Sequence, residues 1–137
     1  MVMNIRVLTP DRVICSTSAD EVILPGLTGL VGVLDGHATM ITGLETGLLR
    51  IKLEDAWTPI ILCGGLAEID RNRVTVLVND VEEFINIESW DTTKQLEEAK
   101  VALEQAEESK DRIDAAIELK KVLARTEGVK YLSKKMT

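Results

Sequence analysis

The sequence predicts an all-β antiparallel sandwich over residues 1–88, followed by a C-terminal α-helical hairpin over residues 89–137. Three observations carry that expectation. Eight of the nine glycines and all three prolines fall between Pro10 and Gly65, and no glycine or proline lies between Gly65 and Gly128. Turn-forming residues therefore punctuate the first part and spare most of the last. Before residue 88, short apolar and β-branched runs recur at intervals of about 8 to 12 residues, the spacing of a sandwich or barrel. From Ser89 the apolar period lengthens to three and four residues, which marks helix.

Each element follows from its local pattern. Met3, Ile5 and Val7 alternate with polar residues, and "TPDR" then turns the chain. "RVICS" and "DEVILP" read as the next two strands, the second closed by Pro25-Gly26, and "LVGVL" follows. "LLRIKL" sets Leu49, Ile51 and Leu53 on one face and Arg50 and Lys52 on the other, as a half-buried strand requires. "EDAW" is a turn, "IILC" a buried run and Gly64-Gly65 a bend. "RVTVLVND" alternates Val74, Val76 and Val78, and "EFINIE" is expected to close the series as a strand. No segment between these runs has room for a crossover helix, so parallel pairing is not expected.

In the last part, Ser89 or Asp91 is placed to cap a helix. Leu96, Ala99, Leu103 and Ala106 then form a stripe that resumes through Lys110 at Ile113, Ile117, Lys120 and Ala124. Only "EESKD" at 107–111 interrupts it, so a bent hairpin and one long helix both fit. A segment with two arrangements of similar energy can act as a switch.

Charge separates the parts further. The whole chain carries −7, and residues 1–88 alone hold 6 basic and 13 acidic side chains. Residues 91–118 hold 4 basic and 9 acidic groups, whereas 119–137 hold six cations against Glu127 alone. Cations favour a helix C-terminus, but six in nineteen residues point to an acidic partner surface. An acidic chain with only four aromatic residues (Trp57, Phe84, Trp90 and Tyr131) is a poor nucleic-acid binder.

The start "MVMNIRVLTPDRV" shows neither a signal-peptide nor a transit-peptide pattern, and no apolar run reaches the roughly 20 residues of a bilayer span. A soluble chain is expected. Cys15 and Cys63 lie in apolar runs and read as small buried hydrophobes of a reducing compartment.

Catalytic chemistry finds little support. His37 is the only histidine, and Asp35 lies two residues away on the same turn, too local to imply a dyad. No serine or cysteine sits in a Gly-x-Ser-x-Gly context. "GLTGLVG" at 26–32 lacks both the Lys-Ser/Thr of a phosphate loop and the spacing of a dinucleotide fingerprint. One histidine without Cys-x-x-Cys provides too few zinc ligands. Paired carboxylates at Glu54-Asp55 and Glu82-Glu83 fall at turns and edges. From these residues alone, a non-catalytic binding protein with its ligand between sandwich and helices also fits.

A family resemblance narrows the choice. "VLTPDR" at 7–12, the "GVL" and "HA" of Gly32 to Ala38, "GLLRIKLEDAW" at 47–57, "GGLAEI" at 64–69 and "VTVLVNDVE" at 74–82 occur in order. In these the chain resembles the epsilon subunit of F-type ATP synthase, particularly its chloroplast and cyanobacterial branch. The helical part is similar in length and character more than in residues.

The resemblance implies a sandwich of about ten strands that binds the gamma subunit and rests on the c-ring. It also implies a mobile helix-turn-helix that suppresses ATP hydrolysis through basic contacts to the alpha and beta subunits. It implies no catalytic residues and no cofactor. The location it implies is peripheral, on the stromal face of the plastid thylakoid or the cytoplasmic face of a cyanobacterial one.

Carried onto this sequence, the interface with gamma and the c-ring is expected at Leu30, Asp35, His37, Met40 and Thr42. The inhibitory cations are expected at Lys120, Lys121, Arg125 and Lys134. Relatives commonly have proline where Asp35 and Thr39 stand, which implies a less rigid loop here. Some bacterial relatives bind ATP through Ile/Leu-Asp-x-x-Arg-Ala. "IDAAIE" at 113–118 lacks that arginine, and with it the main charge-assisted phosphate contact, so ATP binding is not expected.

Overall fold

A computed structural model describes residues 3–136 of the chain and the side chains of residues 3–132. Ten strands come first: β1 (Met3–Leu8), β2 (Val13–Ala19), β3 (Glu21–Gly26), β4 (Gly29–Leu34), β5 (Met40–Leu44), β6 (Gly47–Leu53), β7 (Ala56–Leu62), β8 (Gly65–Asp70), β9 (Arg73–Val78) and β10 (Val81–Glu82). A 3₁₀ turn at Ile87–Ser89 leads into α1 (Thr92–Gln105) and α2 (Ser109–Met136).

The strands follow one hydrogen-bonded path, β10-β7-β6-β3-β5-β8-β9-β1-β2, with β4 paired to β3. At its middle, β3 and β5 share a single registered pair, Gly26 opposite Leu44. There the path passes from one layer of the sandwich to the other. Met3, Ile5, Val22, Leu49, Ile69 and Val76 are among the side chains buried between the layers. Each such burial contributes roughly 1.5–3 kcal/mol. The β6–β7 and β8–β9 hairpins turn on Glu54-Asp55 and Arg71-Asn72, with positive φ at all four residues. Two-residue loops of that handedness match the twist of the strands they join.

Three local expectations need correction. β1 and β9 pair in parallel, from Asn4↔Arg73 to Leu8↔Leu77, so the sandwich is antiparallel apart from this pair. The two strands lie far apart in sequence, and the connection between them is the intervening body of the sandwich, not a crossover helix. β5 and β8 had no expected counterpart, because glycines and polar residues mask their alternation. At Gly65 the glycine permits the pairing, since φ is 146° and a side chain would run into the Leu77 carbonyl. "EFINIE" is not a strand. Only Val81 and Glu82 pair with β7, and the chain then leaves the sheet through Asn86 at φ 53°.

The helical expectation resolves as a hairpin broken at 106–108. Asp91 is the cap, its carboxylate accepting from the Lys94 amide at 3.0 Å. Arg112 donates to the Ala106 carbonyl at 3.2 Å, satisfying an acceptor that the end of α1 leaves open. α1 packs on α2, and α2 packs on β6 and β7. Leu48 and Ile61, on the sheet face away from the main core, are buried with Ala124 and flanked by Phe84 and Tyr131. The expected stripe therefore divides. Ala124 is buried, whereas Ile113 and Ile117 on the same helical face stay 60% and 39% exposed. Burial on α2 begins at Val122, so the first turns of the helix project past the sheet they would need for cover.

Candidate functional site: an open apolar sheet face and a docked basic helix

The loop that joins β4 to β5 carries the chain's one histidine. His37 Nδ1 lies 2.7 Å from the Ala38 carbonyl, and its backbone amide donates to the Leu34 carbonyl at 3.1 Å. Both bonds close the turn. Two more fasten it to the β8–β9 hairpin: the Gly36 amide donates to Asn72 Oδ1 at 2.8 Å, and the Thr39 hydroxyl to Asp70 Oδ1 at 3.2 Å. Asn72 and Asp70 thus supply a restraint where prolines are absent. Asp35 is exposed at the tip of this turn.

The expected interface residues divide by strand face. Leu30 points outward from β4 at 65% exposure. Met40 is half-buried and packs against the main core, and the Thr42 hydroxyl turns back to the Gly43 carbonyl. Between them Ile41 points outward at 69% exposure. It belongs to an apolar surface that the sequence reading missed. β5, β8 and β9 bury one face in the core, and their other face presents Ile41, Leu66 and Leu77, with Leu66 directly opposite Leu77. In a strand covered on one side only, positions out of phase with Ala67, Ile69, Val74 and Val76 should be polar. Leucine at 66 and 77 breaks that alternation, and that was the available signal. Large exposed apolar groups gathered on one face mark a contact surface.

The basic helix is held against the other layer. Arg125 forms a two-pronged pair with Glu82, Nε to Oε2 at 2.5 Å and Nη2 to Oε1 at 2.6 Å, and its Nη1 lies 3.5 Å from Glu118 Oε1. The hydrogen bonds to Glu82 raise the arginine above its already high ordinary pKa. Lys120 lies 3.7 Å from Glu45. Lys121 is half-buried near Cys63, and its charge partly opposes the burial that pushes that thiol up. The side chain of Lys134 lies outside the described residues.

Aromatic contacts complete the docking. Arg50 stands over the Tyr131 ring at 5.6 Å, and the Tyr131 and Trp57 ring centres are 6.0 Å apart. Phe84 packs between Trp90, 5.5 Å away by ring centres, and Gly128 of α2. An open notch of about 330 Å³ separates the β3–β4 hairpin from α2, with Leu27, Leu30 and Leu123 in its lining.

Residues 2–84 match the family described as ATP synthase, Delta/Epsilon chain, beta-sandwich domain. The ATP synthase epsilon chain, chloroplastic, of Thalassiosira pseudonana is 76% identical over 133 residues, which is 97% of this chain and 100% of its own. Its namesake in Gracilaria tenuistipitata var. liui is 41% identical over 133 residues, covering 97% and 99% of the two chains. Among solved structures, a chain of the Euglena gracilis mitochondrial ATP synthase assembly of OSCP, F1 and c-ring has TM-score 0.75 at 21% identity. The match covers 93% of this chain and 81% of that one, and the fold is shared.

Proposed function

The chain belongs to the ATP synthase delta/epsilon family, and on that premise we propose that it works as a non-catalytic rotor subunit of a plastid ATP synthase. In this reading the sandwich, residues 1–88, couples the catalytic head to the c-ring through gamma. The hairpin, residues 89–137, suppresses ATP hydrolysis when it leaves the sandwich and brings Lys120, Lys121, Arg125 and Lys134 to acidic surfaces of the alpha and beta subunits. The turn carrying Asp35 and His37, with Met40 and Thr42 on the strand that follows it and Leu30 at the far end of β4, supplies contacts toward gamma and the c-ring. Membrane association on the stromal side is indirect, made through that ring.

The observation that carries the rotor reading is the open face of Ile41, Leu66 and Leu77. Leu66 stands directly opposite Leu77, with Ile41 diagonal to Leu66 on the neighbouring strand, and such a group of large apolar side chains on an uncovered sheet face fits a permanent partner surface. The alternative, a free-standing protein with a ligand between sandwich and helices, meets a physical obstacle. Small-molecule sites bury most of their ligand, whereas Leu27, Leu30 and Leu123 in the notch are 60%, 65% and 45% exposed.

Reconstitution tests the reading. A catalytic head containing gamma but stripped of this subunit should rebind the full chain, and Leu66→Asp or Ile41→Asp should weaken binding by about tenfold or more each. Rebinding that ignores both substitutions would remove the open face from the interface. No binding of the unaltered chain would return the free-standing reading.

A further inference from the structure

We infer that Glu82 is an internal competitor for Arg125, a carboxylate on the sandwich that holds the guanidinium the hairpin would otherwise give to an acidic partner. The inference rests on the proposed braking role and adds what restrains it.

The geometry is that of a latch. Glu82 occupies both prongs of the Arg125 fork, at 2.5 and 2.6 Å, and the arginine side chain is only 17% exposed. A guanidinium paired edge-on to one carboxylate cannot present the same edge to another. Two residues on, Phe84 packs against Gly128, which stands nearly one turn beyond Arg125 on α2. One short segment of the sandwich thus grips one turn of the helix by a charge and by a ring.

The segment itself is lightly held. β10 has two residues and lies at the end of the strand path, paired only through Val81↔Leu62 and Glu82↔Ile61. Glu118, on the same helix, contacts Arg125 more loosely at 3.5 Å and travels with it when the hairpin moves. Glu82 stays behind. Of the two carboxylates, only Glu82 therefore distinguishes the docked from the released state, and only it opposes release. Lys120 and Glu45, at 3.7 Å, form a longer and more exposed second pair across the same joint.

The test is Glu82→Gln in the full chain, which keeps the shape and removes the charge. Two readouts are taken: hydrogen exchange of the α2 amides from 122 to 132 in the free chain, and inhibition of ATP hydrolysis by a head depleted of the subunit. The competitor role predicts exchange faster by about three- to tenfold and a half-inhibitory concentration lower by a similar factor. Arg125→Gln should speed exchange comparably but weaken inhibition.

Unchanged exchange in Glu82→Gln overturns the latch, whatever inhibition does. Faster exchange with unchanged or weaker inhibition overturns the competition. The braking role is judged separately, by whether a chain ending at Glu88 loses inhibition, so its failure is recognisable without reference to Glu82.

Discussion

Replacing Gly128 with alanine should loosen the hairpin while strengthening the helix it belongs to. A methyl group at 128 would overlap the Phe84 ring, three of whose atoms lie at or inside the closest approach real side chains make. In an unobstructed helix the change stabilises by about 1 kcal/mol. That gain is present whether α2 is docked or released, so it does not favour docking. Overpacking costs about 1–3 kcal/mol and falls on the docked state alone. Docking should therefore weaken by that amount, seen as exchange of the 122–132 amides faster by about 5- to 150-fold.

Without the ring the sign reverses. In a Phe84→Ala background the obstruction is gone, so Gly128→Ala should become neutral or stabilising. The assay is hydrogen exchange on the four full-length chains of this cycle. If Gly128→Ala slows exchange with Phe84 in place, or if removing Phe84 leaves its effect unchanged, the close approach is not what requires glycine.

Three further outcomes follow from single residues. Asp91→Ala removes the side-chain acceptor of the Lys94 amide and should destabilise α1 by about 1 kcal/mol, visible as faster exchange in its first turn; an unchanged first turn would mean that water caps equally well. Leu66→Asp, on a half-exposed position, should shift the stability of the free chain by no more than about 0.5 kcal/mol, so a large loss in thermal melting would show that Leu66 supports the fold. Burial raises the pKa of Cys15 and Cys63, so alkylation of each should have its midpoint above the roughly 8.5 of a free cysteine. Because the native thiols keep protons that unfolded ones release, stability should fall as pH rises through the ordinary thiol range and be unaffected below it. A midpoint at or below that of free cysteine would contradict the burial argument.

Period and punctuation made the two-part architecture legible. Val74, Val76 and Val78 alternate toward a core, and the stripe from Leu96 to Ala124 breaks where charged residues replace it. What escaped the sequence reading depended on contacts between distant segments. Phe84 looks like a strand residue until Gly128 is seen beneath it, because the ring's partner lies 44 positions away. The parallel pairing of β1 with β9 likewise has no local signature.

The candidate surfaces were legible to a similar degree. The family resemblance, not local pattern, pointed to the turn around His37; on the next strand Met40 packs against the core while Ile41 stays exposed, because neighbouring strand residues face opposite sides of the sheet. The cluster of cations on α2 was plain from charge. Its pairing was not, because Glu82 and Glu45 come from the other part of the chain.

In the proposed function one part of the chain binds and the other restrains. Among the described residues, every one buried in the main core lies at or before Val78, so a chain ending at Glu88 keeps that core whole. The deciding measurement is ATP hydrolysis by a depleted catalytic head supplied with the full chain or with residues 1–88. Both should bind, and only the full chain should inhibit. Equal inhibition by the shorter chain would contradict that division.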